Sequence, residues 1–537
     1  MKKRVIYFII CYLFLLSVLY IKLYALSLPG SIYAEAASST RSVMLASSRG
    51  QIYDRNMNRL TYTVPEYKTC IRPTPAAIIK INGIITDEAA LEKIHTGSFT
   101  VITTDDPLPL ENSEDILNLS FFKRYDGNTL CHITGYLSGS GKGECGIEKE
   151  YDDFLNKTNG CVEAVFHTDA LGRMLMNEPV EIRDTAYMSK SGVVLTIDRE
   201  IQKITEQELI NAGFRTGAAV VLSAQTSEIL ACVSLPFYDR NDPSKSADDP
   251  DAPFINRAFC AYSVGSVYKV ITAAAAIENG TDIGDYTCTG NVIKSGTVFN
   301  CSKTDGHGKT DMKKAVAISC NPYFIELSVK TGAKKMVETA RKLGFGKSIT
   351  LYGTQTSQSG YLPPPDELNS DAALANLGFG QGSLLATPLQ IAAAYCAIAN
   401  GGYYTQPTLV KGFNDNNGNF SNKSIPEPKR LRVLNSETSD ILKEYLLECV
   451  MNGTGKNARS TLFKSGGKTA TAQTGRYGEN GKEILISWFA GFFPYEKPEY
   501  IICIMKENGA SGSSDDAPVF KKISERIYKE TVNQPHS

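Results

Sequence analysis

The first contrast along the chain is a polar tip against an apolar run. Met1-Lys2-Lys3-Arg4 precedes an uncharged, mainly apolar stretch from Val5 to Ile21, and beyond Lys22 the residues Leu23 to Leu26 extend it. A helix of roughly 20 apolar residues spans a bilayer, and Lys22 can snorkel its amine to the interface. The pattern predicts one membrane anchor over 5–26. Residues 1–4 form its cytoplasmic tip, because basic residues before a span hold that end inside and leave the remainder of the chain outside. Ala34-Glu35-Ala36 has the small-x-small form of a signal-peptidase site, yet it lies too far beyond the run, and the run is longer than an ordinary signal core.

From Ser27 to about Ser48 the residues are mostly small and polar, which reads as a juxtamembrane stalk. Arg49 to Asn56 followed by Leu60 to Val64 reads as a hairpin around an Asn-rich turn. Residues 65–190 mix short strands with short helices and show no internal repeat, the texture of a structural pedestal. The pattern changes at Gly192-Val193-Val194-Leu195-Thr196-Ile197-Asp198, a strand leading into a helix from Arg199 to Ala212. Paired strands follow at 217–222 and 228–233, then, near the end, strands at 487–493 and 500–505 and an amphipathic helix from Val519 to Val532. Strands at both ends with helices between predict one antiparallel sheet covered by helices on both faces. Gly353 to Pro365 and Asn414 to Pro428, rich in Gly, Pro, Asn and Ser, read as loops. Anchor, stalk with pedestal (27–190) and a catalytic-sized domain (191–537) complete the predicted organisation.

Composition changes this picture little. Lysine and arginine number 56 against 57 acidic residues, so net charge gives no reason to expect nucleic acid as a partner. Thirteen cysteines, one in the anchor, contain no C-x-x-C pair and no familiar zinc spacing. Most read as buried apolar residues. Cys288 and Cys301 flank a short segment before His307-Gly308 and are equally consistent with a small disulfide loop or two reduced thiols. Cys131, His132 and Cys145 lack metal spacing.

Candidate chemistry centres on Ser266-Val267-Tyr268-Lys269, at the start of the alanine-rich run Val270 to Ile277, which reads as a buried helix. At i and i+3 the two side chains share a face, so the Lys269 amine is placed to reach the Ser266 hydroxyl. Gly265 allows a sharp entry, and a helix N-terminus favours developing negative charge. A serine needs a neighbouring base, and burial lowers a lysine's pKa enough to make it one. Alone, the tetrad is also what a capping serine and a surface lysine would give. Two later stretches decide the matter. Ser319-Cys320-Asn321 puts a hydroxyl and an amide two residues apart on a turn. In Gly466-Gly467-Lys468-Thr469-Ala470-Thr471, small residues in a β-like run would let a substrate backbone lie against the strand, and Lys468 with Thr469 suits a carboxylate.

S-x-x-K, S-x-N and K-T-x in this order mark penicillin-binding proteins and serine β-lactamases. Over nearly its whole length the chain resembles a class B penicillin-binding protein. Beyond the three motifs, the resemblance shows in Arg49-Gly50 through Asp54-Arg55-Asn56, Gly146-Ile147-Glu148 and Asn256-Arg257-Ala258. It continues in His307-Gly308, Gly378-Phe379-Gly380-Gln381-Gly382, Thr387-Pro388-Leu389-Gln390, Gly453-Thr454-Gly455 and Trp488-Phe489-Ala490-Gly491. The resemblance implies an α+β penicillin-binding/serine β-lactamase-like catalytic domain, an antiparallel sheet flanked by helices, after a strand-rich pedestal and one transmembrane helix. It implies a D,D-transpeptidase that cross-links peptidoglycan stem peptides, takes β-lactams covalently and needs no metal or cofactor. Ser266 would be the nucleophile, Lys269 its base and Ser319 a proton relay. Asn321 would hold the donor peptide, Lys468 and Thr469 would bind the terminal carboxylate, and the Ser266 and Thr471 N–H groups would form the oxyanion hole. The partner implied is a multi-span glycan polymerase, since no glycosyltransferase region precedes the catalytic domain. Ala470 stands where the family usually has glycine, and Val264 where proline is common. A catalytically silent scaffold and a β-lactamase or β-lactam sensor are the alternative readings.

Overall fold

A computed structural model describes residues 2–27, 39–125, 127–169, 173–176, 178–478 and 481–533. Backbone packing divides the chain into two units, one of Met1–Gly50, Thr61–Tyr125 and Asn156–Lys190, the other of Gln51–Leu60, Asp126–Leu155 and Ser191–Ser537. Two segments expected in the pedestal, 51–60 and 126–155, therefore pack with the second unit.

The first unit opens with the helix Lys2–Ser27, whose apolar stretch Arg4–Ala25 covers 22 residues, about 33 Å at 1.5 Å per residue and enough to cross a bilayer core. The side chains from Val5 to Tyr24 are exposed, as lipid-facing residues are. The Ala34-Glu35-Ala36 motif lies outside the described residues. The stalk expected up to Ser48 is corrected in part: Ser39–Ser48 is a strand, paired antiparallel with Gly160–Thr168, which in turn pairs with Glu181–Thr185. Its small polar residues hid it because its first half is exposed. Only towards its end does Leu45 enter a cluster with Cys70, Phe121, Val162 and Ala164. A second sheet has Val64–Ile71 between Thr100–Thr104 and Ile116–Lys123.

In the second unit, Gln51–Tyr53 runs parallel to Gly192–Leu195, which pairs antiparallel with Val410–Asn414. The hairpin expected at 49–64 is reduced to a tight turn. Asp54 Oδ1 accepts the Asn56 and Asn58 N–H groups, Leu60 N–H donates to Ile52 O, and a single bridge joins Tyr53 to Arg59.

The main sheet of this unit is fully antiparallel, in the order Ile229–Leu235, Gly217–Ser223, Tyr500–Glu507, Glu483–Phe493, Gly466–Tyr477. Both faces are covered. Apart from the edge strand Gly466–Tyr477, the strands therefore read as nearly continuous apolar runs, with alternate residues committed to opposite faces. Ala219, Val221, Ile502 and Ile504 pack with Ile201, Ile204 and Leu209 of the helix Arg199–Asn211 and with Phe520, Ile523 and Ile527 of the helix Ala517–Asn533. Ala218, Val220, Cys503 and Met505 face the larger core, which holds the helices Lys269–Glu278 and Pro388–Ala399. Helix Arg199–Asn211 starts where Asp198 accepts from the N–H groups of Glu200 and Ile201, a standard N-cap. Helix Pro388–Ala399 is buried on all sides, and a Thr387/Gln390 capping box fixes its start. The Gln390 amide also donates to the carbonyls of Lys347 and Ser359, both at 2.8 Å.

Candidate active site

Gly265 has φ +67° and donates its N–H to Gly380 O at 2.7 Å. Residues Gly265–Tyr268 then form a 3-10 turn, and the α-helix begins only at Lys269, not at Ser266 as expected. The tighter winding keeps Ser266 and Lys269 on one side of the turn, because side chains at i and i+3 eclipse in a 3-10 turn. Three further contacts hold the turn. Trp488 Nε1 donates to Ser263 O at 3.0 Å, the Tyr395 hydroxyl donates to Val267 O at 3.0 Å, and the buried Tyr268 ring meets Phe345 edge-on. Gly380, at φ +84°, is obligatory here, since any β-carbon on it would land on the Gly265 carbonyl. Ser266 is half-buried, and its hydroxyl makes no hydrogen bond among the described residues.

The expected Ser266–Lys269 hydrogen bond is replaced by a different set. Lys269 Nζ, fully buried, lies 2.7 Å from Ser319 O, 3.1 Å from Ser319 Oγ and 2.6 Å from Asn321 Oδ1. The backbone makes this convergence possible. Ser319 closes the helix Met312–Ile318 in the left-handed conformation (φ 59°, ψ 42°), and Asn321 opens the next helix, Asn321–Thr331. A non-glycine residue in that conformation is costly and persists where its surroundings over-determine it. Here the reversal turns the Ser319 carbonyl and hydroxyl and the Asn321 amide towards one amine. The Asn321 Nδ2 donates to Asn300 O at 3.1 Å. Burial, reinforced by the like charge of Lys468, holds the Lys269 pKa well below the ordinary lysine value.

Lys468, Thr469 and Thr471 lie on Gly466–Tyr477, the edge strand of the sheet. By strand alternation Lys468, Ala470 and Ala472 share one face, and the two alanine methyls lie beside Gly265. Lys468 is fully buried, donates to Thr469 O at 2.9 Å and has a pKa lowered by burial. Thr469 Oγ1 lies 2.7 Å from Thr454 Oγ1. Thr471 is half-buried and pairs with Ser487 in the ladder. Gly466 and Gly467 also have a packing role: a β-carbon on either would stand 2.5 Å from the Phe492 or Phe489 ring, so they admit aromatic packing inside the domain.

Thr454, Trp488, Tyr395 and Gly380 were not assigned roles from sequence, although three of the four sit in stretches that carry the family resemblance. Among the described cysteines all thiols are free, so Cys288 and Cys301 form no disulfide. Cys131 Sγ lies 3.4 Å from His132 Nδ1, but Cys145 Sγ faces the Tyr238 hydroxyl and the three do not form one cluster among the described residues.

Residues 217–525, which hold all three motifs, match the family model described as penicillin binding protein transpeptidase domain. The chain belongs to the penicillin-binding protein transpeptidase family. Among this family's curated members, it is 32% identical to stage V sporulation protein D of Bacillus subtilis over 71% of this chain, and 30% identical to the peptidoglycan D,D-transpeptidase MrdA of Acinetobacter baumannii over 69%. The matches span 59% and 58% of those two relatives' own lengths. A solved structure of a peptidoglycan synthase complex, described as coordinating polymerization and crosslinking, superposes with a TM-score of 0.69, covering 98% of each chain at 22% identity. At that identity the likeness establishes the penicillin-binding protein fold.

Proposed function

We propose that this protein is a membrane-anchored serine D,D-transpeptidase that cross-links peptidoglycan stem peptides and is acylated by β-lactams. One observation carries the reading: a buried lysine, one 3-10 turn after an accessible serine, is held by Ser319 and Asn321 in a setting that disfavours its charge.

Donor counting gives the mechanism. A protonated Lys269 has three N–H groups for its three oxygen neighbours. A neutral amine has two, which the carbonyls of Ser319 and Asn321 accept, and its lone pair is left for a hydroxyl. Ser266 Oγ attacks the carbonyl between the two terminal D-alanines as its proton passes to Lys269 Nζ. The C–N bond breaks, and the proton moves from Lys269 through Ser319 Oγ to the departing D-alanine amine. An amine of a neighbouring stem attacks the acyl-enzyme, gives up a proton by the reverse path and restores the Ser266 hydroxyl. Lys468 and Thr469 bind the terminal carboxylate, with Thr454 orienting the Thr469 hydroxyl. Asn321 steadies the donor peptide, and the N–H groups of Ser266 and Thr471 stabilise the oxyanion.

The catalytic part is the second unit, with 191–537 as its bulk and the first unit as pedestal. The basic residues Lys2, Lys3 and Arg4 before the apolar helix support an N-terminus in the cytoplasm and the catalytic unit outside. Polymerisation then falls to a multi-span membrane glycan polymerase reached through anchor and pedestal, a reading supported by the likeness to a synthase complex that couples polymerization with crosslinking. Labelling with a fluorescent penicillin tests the activity: wild type should label and Ser266→Ala should not. Protease added to intact protoplasts tests the topology, since full protection of the chain would contradict it.

A further inference from the structure

We propose that Cys288, Cys301, His307 and Cys320 bind one Zn²⁺ and that this ion fixes the Ser319-Cys320-Asn321 turn. The four ligand atoms all lie within 4.8 Å of one another. His307 Nδ1 is 3.3 Å from Cys301 Sγ and 3.7 Å from Cys288 Sγ. A tetrahedral zinc with ordinary Zn–S and Zn–N bonds separates its ligand atoms by about 3.5–3.8 Å, so these spacings already suit a closed site. Three thiolates and one imidazole form a common structural zinc set, and soft sulfur ligands select zinc over oxygen-seeking cations.

The surrounding chain gives independent support. The ligands come from the end of strand Tyr286–Cys288, the residue after strand Thr297–Asn300, the residue before strand Gly308–Thr310 and the N-cap of helix Asn321–Thr331. Among the described strands Tyr286–Cys288 pairs with Gly308–Thr310 alone, and the hairpin 291–300 is mostly exposed, reaching the apolar interior through Phe299 and Val292, so each is held by few packing contacts. The three cysteines are nonetheless buried, Cys320 completely. Gly290 and Gly306, both at positive φ, bring the loops together: a β-carbon on either would strike the backbone of Thr304 or of Cys288. A cross-linking ion supplies the order that so small a sheet system lacks.

Cys320 stands between the two residues that hold Lys269, and Asn321 donates to Asn300 O next to Cys301. Anchoring Cys320 therefore fixes the strained Ser319 and the Asn321 amide. Metal binding does not depend on the transpeptidase reading, and the two fail separately: metal content tests the site, acylation its effect on the turn.

The full-length protein in detergent is analysed for metal, then stripped with a chelator and titrated with Zn²⁺ or Co²⁺ under reducing conditions. The expected result is about one zinc per chain, a cobalt form with thiolate-to-metal charge-transfer and tetrahedral d–d bands, and a melting temperature that falls on stripping and recovers with zinc. Cys301→Ser and His307→Ala should bind less metal, whereas Cys161→Ser should bind as wild type does. Fluorescent-penicillin acylation of the stripped protein should fall on the order of a hundredfold, the scale of a displaced catalytic group, and return with zinc. Wild type without stoichiometric zinc or a tetrahedral thiolate cobalt spectrum, or with a Cys288–Cys301 disulfide in its peptide map, overturns the site. Unchanged acylation in the zinc-free protein overturns its role in fixing the turn.

Discussion

Ala470 packs against Gly265: a β-carbon on Gly265 would stand 3.3 Å from the Ala470 methyl and 3.2 Å from that of Ala472. The residue that departs from the family's usual glycine therefore touches the turn carrying Ser266, and Gly265, already at φ +67°, accommodates it. Ala470→Gly should leave the nucleophile unchanged and alter the acylation rate by less than about tenfold, well short of the hundredfold typical of a lost oxyanion donor. Gly265→Ala should be far worse, combining left-handed strain of about 1–2 kcal/mol with crowding against two methyls. Stopped-flow acylation of both variants checks the contrast. A wild type that no β-lactam acylates, beside an active Ala470→Gly, would favour the silent scaffold.

The two lysines should separate kinetically. Lys269→Ala should nearly abolish the chemical step, while Lys468→Ala should mainly raise the penicillin concentration needed for half-maximal rate. Their coupling also predicts a pH effect. Neutral Lys269 is the working form, so acylation should fall as pH drops through its lowered pKa. Removing the like charge at Lys468 raises that pKa, and the acid limb of Lys468→Ala should lie at higher pH than in wild type. A limb that stays in place would contradict the coupling.

Thr454 acts through Thr469, the two hydroxyls being 2.7 Å apart. Thr454→Val should weaken carboxylate recognition while the rate at saturating penicillin stays close to wild type. Thr454→Ser, which keeps the hydroxyl, should restore binding. Equal loss of both parameters in Thr454→Val would place Thr454 in the chemical step instead.

How much of this was legible in the chain follows from the range of each interaction. The spacing of Ser266 and Lys269 was readable because it is local, although the hydrogen bond it suggested is absent among the described residues, and helix Arg199–Asn211 was readable because Asp198 caps it within three residues. The sheet strands were readable because burial on both faces leaves continuous apolar runs. Lys269's partners were not, since Ser319 and Asn321 reach it from 50 and 52 positions away. Strand Ser39–Ser48 was hidden by its exposed, hydroxyl-rich first half. The Cys288, Cys301, His307 and Cys320 cluster follows no short motif. Its available signal was three ligand-type residues between the first two motifs and a fourth, Cys320, inside the second.

Asp516 gives a stability prediction. It ends the turn Gly512–Asp516, which packs on the strands 466–477 and 483–493, and its carboxyl is completely buried. Burial pushes its pKa well above the usual range despite the opposing effects of Ser487 and Lys506. A carboxyl raised in the folded state favours folding in its protonated form, so its contribution is greatest below the unfolded value of about 4 and declines as pH rises above it. Asp516→Asn keeps a neutral side chain of similar shape. It should melt higher than wild type at neutral pH, with the gap closing below about pH 4. A lower melting temperature at neutral pH would show that the carboxylate has a partner that stabilises its charge.

Intact-mass analysis after incubation with benzylpenicillin decides whether Ser266 is the acylated nucleophile. Wild type should gain the mass of one ring-opened penicillin, peptide mapping should place it on Ser266, and Ser266→Ala should gain none. An adduct on another residue, or one that persists in Ser266→Ala, would rule Ser266 out as the nucleophile.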